Sequence, residues 1–357
     1  MDAMNQGREA GREPAVAGKP VIDPADWTAD QLMGCDDWLL AAEAREISHL
    51  VEMARGIAGR IGDDAGRLLA MSRADFDIGP FAGRLEAIMA QVKDGLGLAL
   101  YRGLPMDDLS LIEAAIIYWG IGRHIGEATS NNPEGDMIGH VTDTGKDYRD
   151  PKHRGYQTNV TMDYHCDQTD IVTLLCINTA KSGGQSKIAS SIAVYNELLK
   201  RDGAAAEILT QPYCWTKHSE KDTGEANYYQ SPVFNFLGGV LCTSFGPKHM
   251  EKGHDLAEAP DMTAAQLKAL RLMEQVAEDL HAEMDLARGD IQFVNNYTIL
   301  HTRTGFEDWP EPERKRVLWR LWLMADGFRP STPYSEQWLK GVSLTATKER
   351  ITLVYEG

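Results

Sequence analysis

The stretch that most constrains the fold of this chain is Tyr164-His165-Cys166-Asp167, which is followed at once by an apolar run from Ile171 to Ile177. Side chains two positions apart on an extended strand point to the same side. His165 and Asp167 therefore aim an imidazole and a carboxylate at one point, as two ligands of a metal site would. A His-x-Asp triplet also arises by chance in many proteins, so the hypothesis needs a third ligand from elsewhere in the chain.

The remaining sequence divides into a helical N-terminal part and a region of short strands. We predict helices from Asp36 or Asp37 to about Gly59 and at 81–93, 109–123, 194–201 and 263–281. Strands are predicted at 97–101, 171–178, 186–190, 234–236, 240–242, 316–324 and before Asn295-Asn296. Short strands between Gly-rich turns predict an α+β fold: a double-stranded β-helix, the jelly-roll or cupin-like core, with flanking helices.

The predicted domain organisation is simple. Residues 1–22 are small, polar and rich in Gly and Pro, so we interpret them as a disordered lead-in. Residues 23–357 are interpreted as a single domain, with a helical part at about 23–125 and a jelly-roll core at about 96–330. The stretches 128–161 and 211–231 are polar and weakly periodic, which favours an active-site rim and lids over a pocket.

Charge and cysteine content exclude several classes of binding partner and of cysteine-based site. Lys and Arg number 36 against 53 Asp and Glu, and the net charge of −17 argues against nucleic acid and anionic membranes as partners. The five cysteines are scattered and include no Cys-x-x-Cys, which argues against a disulfide framework or a zinc knuckle. No signal peptide or membrane-spanning run is visible, so we expect a cytoplasmic protein with a small-molecule substrate; a homodimer is compatible with the sequence.

His301 is the candidate for the third ligand. In a jelly-roll, strands that are distant in sequence converge at one mouth of the barrel, so a late histidine can join an early His-x-Asp pair. Two histidines and one carboxylate with open positions form the facial triad of non-haem Fe(II) oxygenases. His165, Asp167 and His301 would occupy one face of the ion and leave three positions free.

Four ordered blocks carry a family resemblance. They are His165-x-Asp167, Gly183-Gly184-x-Ser186, the stretch from Asn295-Asn296 to Leu300-His301-x-Arg303-Thr304, and the strand from Arg316 to Leu323. Together they resemble the taurine/2,4-dichlorophenoxyacetate dioxygenase family of Fe(II)- and 2-oxoglutarate-dependent oxygenases. The blocks run from about residue 95 to 325, so the first 90 residues lie outside the resemblance.

The resemblance implies roles for these residues. His165, Asp167 and His301 match the iron ligands, and Arg316 matches the arginine that holds the far carboxylate of 2-oxoglutarate, for which a guanidinium fork is well suited. Ser186 stands where the family commonly has threonine and can still donate to that carboxylate. Arg320 lies four residues beyond Arg316 on the same strand face and is implied to contact an anionic group of the substrate or cosubstrate.

Other residues are candidates with open alternatives. Arg320 can instead pair with the acidic loop at 307–313, and Arg303 can line the site or pair with Asp308. Asn295 and Asn296 can cap the strand end or orient His301. Substrate contacts are proposed for four residues besides Arg320, namely Asn159, Tyr164, Arg303 and Tyr229. We interpret three histidines as surface or loop residues rather than ligands, namely His140, His218 and His249.

The function implied by the resemblance is that of a 2-oxoglutarate-dependent dioxygenase using Fe(II), 2-oxoglutarate and O₂. We expect it to hydroxylate a small, anionic organic substrate with release of succinate and CO₂. Asp167 argues against halogenation, because related halogenases replace the carboxylate ligand with a small residue. The alternatives are desaturation or cyclisation with the same cofactors, a protein-modifying oxygenase, and a cupin-like metal- or ligand-binding protein without turnover. Arg316 argues against the last alternative, because a simple binding cupin does not need a buried guanidinium opposite the triad.

Overall fold

The computed structural model describes residues 11–147, 154–218, 220–342, 344 and 346–354. The α-helices within these ranges are Ala29–Met33 (α1), Ala44–Ile61 (α2), Ala82–Asp94 (α3), Leu111–Ile125 (α4), Ser191–Arg201 (α5), Gly203–Ile208 (α6), Pro247–His254 (α7), Ala264–Leu280 (α8) and Pro333–Glu336 (α9). The first eight strands are Leu39–Ala41 (β1), Leu98–Arg102 (β2), Glu127–Thr129 (β3), Gly139–Val141 (β4), Ile171–Asn178 (β5), Ser182–Gly183 (β6), Ser186–Ser190 (β7) and Tyr213–Thr216 (β8). The remaining strands are Tyr228–Ser231 (β9), Phe234–Leu237 (β10), Val240–Thr243 (β11), Ala282–Met284 (β12), Ile291–Asn295 (β13), Ile299–Arg303 (β14), Phe306–Glu307 (β15) and Val317–Met324 (β16).

Two sheets form the centre of the fold. The large sheet has seven strands in the order β1-β2-β13-β5-β16-β3, with β4 also paired to β16. Its pairs are antiparallel except for β1 and β2, which run parallel. The small sheet has the order β12-β7-β14. Side chains of both sheets line one cavity, so the two sheets face each other.

Side-chain alternation on β16 separates the helical core from this cavity. Trp319 and Leu321 are buried in a core with residues of α2, α3 and α4. Leu318 and Arg320, which point the other way, line the cavity between the sheets. Tyr118 of α4 anchors the helix, because its hydroxyl lies within hydrogen-bonding distance of the carbonyl oxygens of Thr173 and Trp319, at 2.9 and 3.0 Å. The large sheet therefore has one apolar face under helices and one face available for chemistry.

A second core supports the small sheet. Ile188 of β7 is buried with Val194 and Leu198 of α5 and with Leu270 and Met273 of α8. The predicted helix at 263–281 is confirmed, with Thr263 as its N-cap accepting from the backbone N–H of Gln266. Packing on both sides keeps the two sheets in fixed positions around the cavity.

The prediction of a helix beginning at Asp36 or Asp37 was wrong. Leu39–Ala41 forms β1, which pairs with β2 through Leu39 to Leu100 and Leu40 to Tyr101. The helix begins only at Ala44, after the capping-box residue Glu43. The gain from pairing an apolar segment with a buried strand outweighs the local preference for helix. The helix after β7 also begins earlier than predicted, at Ser191 instead of residue 194, with Ser190 as its N-cap.

Residues 11–22 belong to the predicted disordered lead-in but pack against the body. Val21 is buried, and its N–H donates to Asn196 Oδ1 at 2.7 Å. The N–H of Gly18 donates to the hydroxyl of Tyr195 at 2.8 Å, and Arg12 forms an ion pair with Asp23 at 2.6 Å. The prediction of disorder was therefore wrong for this part, while residues 1–10 lie outside the described residues.

The two polar stretches, 128–161 and 211–231, contain more regular secondary structure than their composition indicated. The first contributes β3 and β4 to the edge of the large sheet, while residues 148–153 lie outside the described residues. The second contains the hairpin of β8 and β9. The predicted strands at 234–236 and 240–242 are confirmed and pair as the hairpin of β10 and β11. Among the described residues, no helix combines the length and hydrophobicity needed to cross a membrane.

Candidate metal centre and active site

The three predicted ligands lie together where the early and late strands meet. The ligand atoms of His165, Asp167 and His301 all lie within 4.8 Å of one another. The Nε2 atoms of His165 and His301 are 4.0 and 3.7 Å from the two carboxylate oxygens of Asp167. A reciprocal pair of backbone hydrogen bonds, each 3.0 Å, joins His165 to His301. Two imidazoles and one carboxylate are thus held around one point.

Neighbouring groups orient two of these side chains. His165 Nδ1 lies 2.9 Å from the carbonyl oxygen of Asp163, which can only accept, so Nδ1 carries the proton and Nε2 keeps its lone pair. The backbone N–H of Asp167 donates to Asn296 Oδ1 at 3.0 Å, and Asn296 Nδ2 donates to the carbonyl of Thr169. Asn296 therefore supports the segment of Asp167 rather than the ring of His301.

The charges around the triad favour the protonation states in which Asp167 and His165 can bind a cation. Burial alone would raise the pKa of Asp167, but the guanidinium of Arg320 at 3.2 Å, together with His301 and His165, holds that pKa well below its usual range. Burial and the neighbouring His301 lower the pKa of His165 to about 4. At neutral pH the site therefore presents a carboxylate and a neutral imidazole, the donors that a ferrous ion takes in a facial triad.

The inner cavity, between the two sheets, begins at the triad and ends at Arg316. Its lining includes Leu174, Ser186, Gln292, Arg316 and Leu318. Gln292 Nε2 donates to Ser186 Oγ at 3.3 Å. Nη1 of Arg316 is buried and has no hydrogen-bond partner among the described residues, and burial lowers the pKa of this guanidinium.

A buried guanidinium with an unused N–H group needs an anion to balance it. Gly184, at φ +78°, makes room for this side chain, because a Cβ there would lie 3.0 Å from Arg316 Nε. The cavity therefore fits a dicarboxylate that reaches from the triad to Arg316, as 2-oxoglutarate would.

Arg320 has a different environment from the one predicted. Its Nη1 donates to Asp167 and its Nε donates to Asn131 Oδ1 at 2.8 Å. The guanidinium also lies over the rings of Trp322 and Tyr156, at 4.7 and 5.0 Å. The predicted alternative of a pair with the acidic loop was wrong, and the structure gives Arg320 the carboxylate of Asp167 as its partner. Asp308 of that loop accepts from the backbone N–H of Arg316 instead.

The outer cavity lies on the other side of the triad and shares His165, Asp167 and Arg320 with the inner one. Five aromatic side chains line part of it, namely Tyr156, Trp215, Phe245, Trp322 and Tyr334. Five basic or imidazole side chains line another part, namely Arg154, His218, Lys248, His249 and Lys252. His218 lies in the loop after β8, as predicted, whereas His249 lies on α7 and His140 is buried on β4, so the surface-or-loop interpretation was wrong for these two.

Of the four other tentative substrate contacts, one borders a cavity and three do not. Arg303 borders the inner cavity, but its guanidinium donates to the carbonyl oxygens of Val160, Gly155 and Thr158, not to Asp308. The Tyr164 hydroxyl donates to Glu278 at 2.8 Å. Asn159 is exposed, and the Tyr229 hydroxyl accepts from Trp338 Nε1. Asn159, Tyr164 and Tyr229 line neither cavity, so the structure does not bring them to the site.

Sequence reasoning also missed residues that face the outer cavity. Gln168, directly after Asp167, is 4% exposed, and neither atom of its amide has a partner among the described residues. Lys248, His249 and Lys252 belong to α7, whose first residue, Pro247, was a recognisable helix beginning. Their positions on one helical face were the available clue, because residues three and four apart lie side by side on a helix.

Comparison with known proteins agrees with this geometry. Residues 65–322 match the family described as "Taurine catabolism dioxygenase TauD, TfdA family". The chain is 28% identical to FR-33289 synthase of Streptomyces rubellomurinus (strain ATCC 31215), over 90% of this chain and 96% of that protein. It is 26% identical to the taurine hydroxylase-like protein SAT17 of Stachybotrys chartarum (strain CBS 109288 / IBT 7711), over 87% of this chain and 81% of that protein.

A solved structure shows the same fold. An asparagine oxygenase in complex with Fe(II), 2S,3S-3-hydroxyasparagine and succinate superposes with a TM-score of 0.63 at 17% identity, covering 80% of this chain and 93% of that one. The family match spans well over half of the chain and includes all three candidate ligands, Arg316 and Arg320. The chain therefore belongs to the TauD/TfdA family of iron(II)- and 2-oxoglutarate-dependent dioxygenases.

Proposed function

We propose that this oxygenase binds iron and 2-oxoglutarate in the inner cavity and hydroxylates a small, anionic organic substrate held in the outer cavity. One observation carries the proposal. An ionised carboxylate between two imidazoles shares a cavity with the buried guanidinium of Arg316, whose Nη1 has no partner among the described residues. A dicarboxylate with one end at the metal and the other at Arg316 satisfies both groups.

Different residues have separate roles in binding iron and 2-oxoglutarate. His165, Asp167 and His301 would hold Fe(II), while Arg316 and Ser186 would bind the far carboxylate of 2-oxoglutarate. When bound, iron and 2-oxoglutarate use O₂ to remove a hydrogen atom from an unactivated C–H bond and release succinate and CO₂. Arg320 keeps Asp167 ionised and fixed in position.

The large and small sheets, facing each other across the inner cavity, support a double-stranded β-helix as the core. They also support one catalytic domain over 23–357, because the first helices pack on the large sheet.

The outer cavity favours a small substrate. Segment 154–162 and β8 with the loop after it border the cavity, which supports a covered pocket rather than an open groove. Trp215, Phe245 and Tyr334 give it apolar walls that exclude water around the reacting carbon. The asparagine oxygenase was solved with a hydroxylated amino acid and succinate, which supports hydroxylation of a small molecule here.

The test is a turnover screen. The Fe(II)-loaded protein is incubated with 2-oxoglutarate, O₂ and a panel of amino acids, carboxylates, sulfonates and phosphorylated compounds, and succinate release is measured. A true substrate should raise succinate release and gain one oxygen atom, whereas loss of two hydrogens would indicate desaturation or cyclisation. His301→Ala is the matched inactive control. An iron-loaded protein that never converts 2-oxoglutarate to succinate with any compound would contradict the proposal.

A further inference from the structure

A smaller space, which we call the side cavity, adjoins the outer cavity beside the carboxylate of the triad. Residues that line both spaces are Cys166, Asp167, Gln168 and Tyr334. Two hydroxyl-bearing residues, Thr243 and Ser244, line the side cavity and not the outer one. A group that extends from the outer cavity can therefore reach the side cavity at Gln168.

Gln168 is the polar side chain at the junction of these two cavities. Its Nε2 and Oε1 are both buried, and neither atom has a hydrogen-bond partner among the described residues. Leaving a buried donor or acceptor unpaired is costly, so folded proteins do it at only a few positions. The amide of Gln168 can therefore donate to, and accept from, a polar group that enters the cavities.

The hydroxyls of Thr243 and Ser244 show the same property. Each residue is 1% exposed, and neither hydroxyl oxygen has a hydrogen-bond partner in the described part of the chain. Their backbone N–H groups, in contrast, donate to the carbonyl oxygens of Tyr297 and Val233, at 3.0 and 2.8 Å. The side cavity thus brings together three buried side chains whose polar atoms are free to bind a ligand.

Asn296 fixes the backbone on both sides of Gln168. Its Oδ1 accepts from the N–H of Asp167 and its Nδ2 donates to the carbonyl oxygen of Thr169, each at 3.0 Å. The hydroxyl of Thr169 donates to the carbonyl oxygen of Leu323 at 2.9 Å. The amide of Gln168 is therefore carried by a fixed backbone, as precise recognition of a ligand requires.

The charges around the side cavity indicate that its ligand is uncharged. Among the described residues, no lysine, arginine or histidine lines this cavity. Its lining carboxylate, Asp167, is already paired with Arg320 at 3.2 Å. An anion in the side cavity would lie near Asp167 without a cation of its own, whereas a neutral group would satisfy an amide and two hydroxyls.

We propose that Gln168, Thr243 and Ser244 bind an uncharged hydrogen-bonding group of the substrate, a hydroxyl or an amide, and so determine which substrates are accepted. This inference rests on the proposed function, because it assigns a subsite to the substrate of that reaction. A compound without such a group would leave the buried amide and hydroxyls unpaired, so the site discriminates against it. Because Gln168 directly follows Asp167, a group bound by its amide lies near the metal centre.

The experiment measures the binding of three small probes by fluorine NMR, under anaerobic conditions, to protein loaded with Fe(II) and 2-oxoglutarate. Trifluoroacetamide and trifluoroethanol are the neutral probes, and trifluoroacetate is the anionic one. Paramagnetic Fe(II) broadens the signal of a probe that binds near the triad. The test variants are Gln168→Met and, separately, Thr243→Val with Ser244→Ala. The matched control is Gln211→Met, which changes an exposed glutamine.

Each test variant should lose at least about threefold in affinity for both neutral probes, the effect of removing one or two hydrogen bonds. The control should bind them as the wild type does, and trifluoroacetate should bind all proteins alike. Neutral probes that bind the test variants as well as the wild type, or that fail to bind the wild type, would overturn the subsite. An equal loss for all three probes would also overturn it, because the subsite would then not distinguish neutral from charged groups.

Urea unfolding of the metal-free protein distinguishes a substrate subsite from a structural role. Gln168→Met should unfold at a urea concentration no lower than the wild type, because it removes an amide without a partner in the described residues. The comparison is Asn235→Leu, which should lower the midpoint, because the buried amide of Asn235 donates to the carbonyl oxygens of Pro232 and Cys242. A midpoint for Gln168→Met as low as that of Asn235→Leu would overturn the subsite, because the amide would then hold the fold through an ordered water.

The subsite and the proposed function fail in different ways. The visible absorption of iron with 2-oxoglutarate, recorded on the same samples, tests the proposed function and should appear in every variant. Its absence from all proteins would contradict the proposed function. A normal band together with unchanged binding of the neutral probes would contradict only the subsite.

Discussion

The inner and outer cavities share His165, Asp167 and Arg320 but are built mainly from different parts of the chain. The inner cavity is lined mainly by strand residues, such as Leu174 on β5, Gln292 on β13 and Leu318 on β16. The outer cavity is lined by residues of loops, of α7 and of the β8 hairpin. We therefore assign the binding of iron and cosubstrate to residues of the rigid sheets, and the binding of substrate to the segments that cover the sheets.

Two arginines illustrate this difference, one directly before β16 and one on that strand. Arg316 and Arg320 are four residues apart, and both line the inner cavity. Arg316 has a buried Nη1 without a partner in the described residues, while Arg320 holds the carboxylate of Asp167. Arg316 is thus available to bind a ligand, whereas Arg320 is paired with a carboxylate of the protein itself. Replacing Arg320 by methionine should therefore affect the stability of the protein, and the same replacement at Arg316 should affect ligand binding.

The largest effect is expected from the triad itself. His301→Ala removes one of three protein ligands, so Fe(II) affinity should fall well beyond the roughly 10- to 100-fold loss that an outer-shell partner causes. Iron content after anaerobic loading and desalting measures this. His49→Ala, a histidine that hydrogen-bonds the carbonyl of Asp77 far from the cavities, should retain iron. Equal iron content in both variants would remove His301 from the metal site.

Arg320→Met should come next in size. It leaves the buried Asp167 without its cation, which costs about 3–5 kcal/mol when one partner of a buried pair is removed. Urea unfolding of the metal-free protein should show this loss, and Fe(II) should restore part of it by giving the carboxylate a new cation. A metal-free variant as stable as the wild type would show that Asp167 does not depend on Arg320.

Arg316→Met should act on the ligand and not on the fold. Binding of 2-oxoglutarate should weaken by about 2–5 kcal/mol, the usual cost of removing one partner of a buried charge pair. The metal-free protein should be no less stable than the wild type, because the variant removes a buried cation whose Nη1 lacks a partner in the described residues. Loss of iron binding together with 2-oxoglutarate would contradict the separate roles assigned to Arg316 and the triad.

The smallest effect is expected at the cover of the outer cavity. Glu220→Gln replaces the charge that pairs with Arg154 and should lower the free energy of unfolding by about 1–3 kcal/mol. Affinity for 2-oxoglutarate should stay within twofold of the wild type, because Arg154 lines the outer cavity and neither residue of the pair lines the inner one. Glu225→Gln, whose carboxylate makes a more exposed pair with Lys217, is the matched control. A large loss of 2-oxoglutarate affinity in Glu220→Gln would mean that the two cavities are not independent.

The sequence was most informative where a regular strand carries the chemistry. His165 and Asp167 could be placed on one side by alternation, and the spacing from His301 to Arg316 matched the family's final strand. The same alternation should have excluded Tyr164, because it points away from its neighbour His165; its hydroxyl reaches Glu278.

The rest of the site depends on tertiary contacts that no local pattern contains. His218 reaches the outer cavity through a strained backbone in a hairpin whose partner strand begins ten residues later. Arg320 was expected to meet a ligand, yet its partner is Asp167, 153 positions earlier in the chain. Leu39 and Leu40 became a strand because β2 was available beside them.

The most direct test of the two-cavity account is an anaerobic titration of 2-oxoglutarate into Fe(II)-loaded protein, followed by the weak visible charge-transfer band of the iron complex. The wild type and the Lys248→Met, Lys252→Met variant should develop the band at the same concentrations of 2-oxoglutarate. Arg316→Met should need at least about 30-fold more, in line with the loss of about 2–5 kcal/mol expected for its charge pair. An Arg316→Met curve that coincides with the wild type, or a shift caused by the two lysine changes, would contradict the assignment of the cosubstrate to the inner cavity.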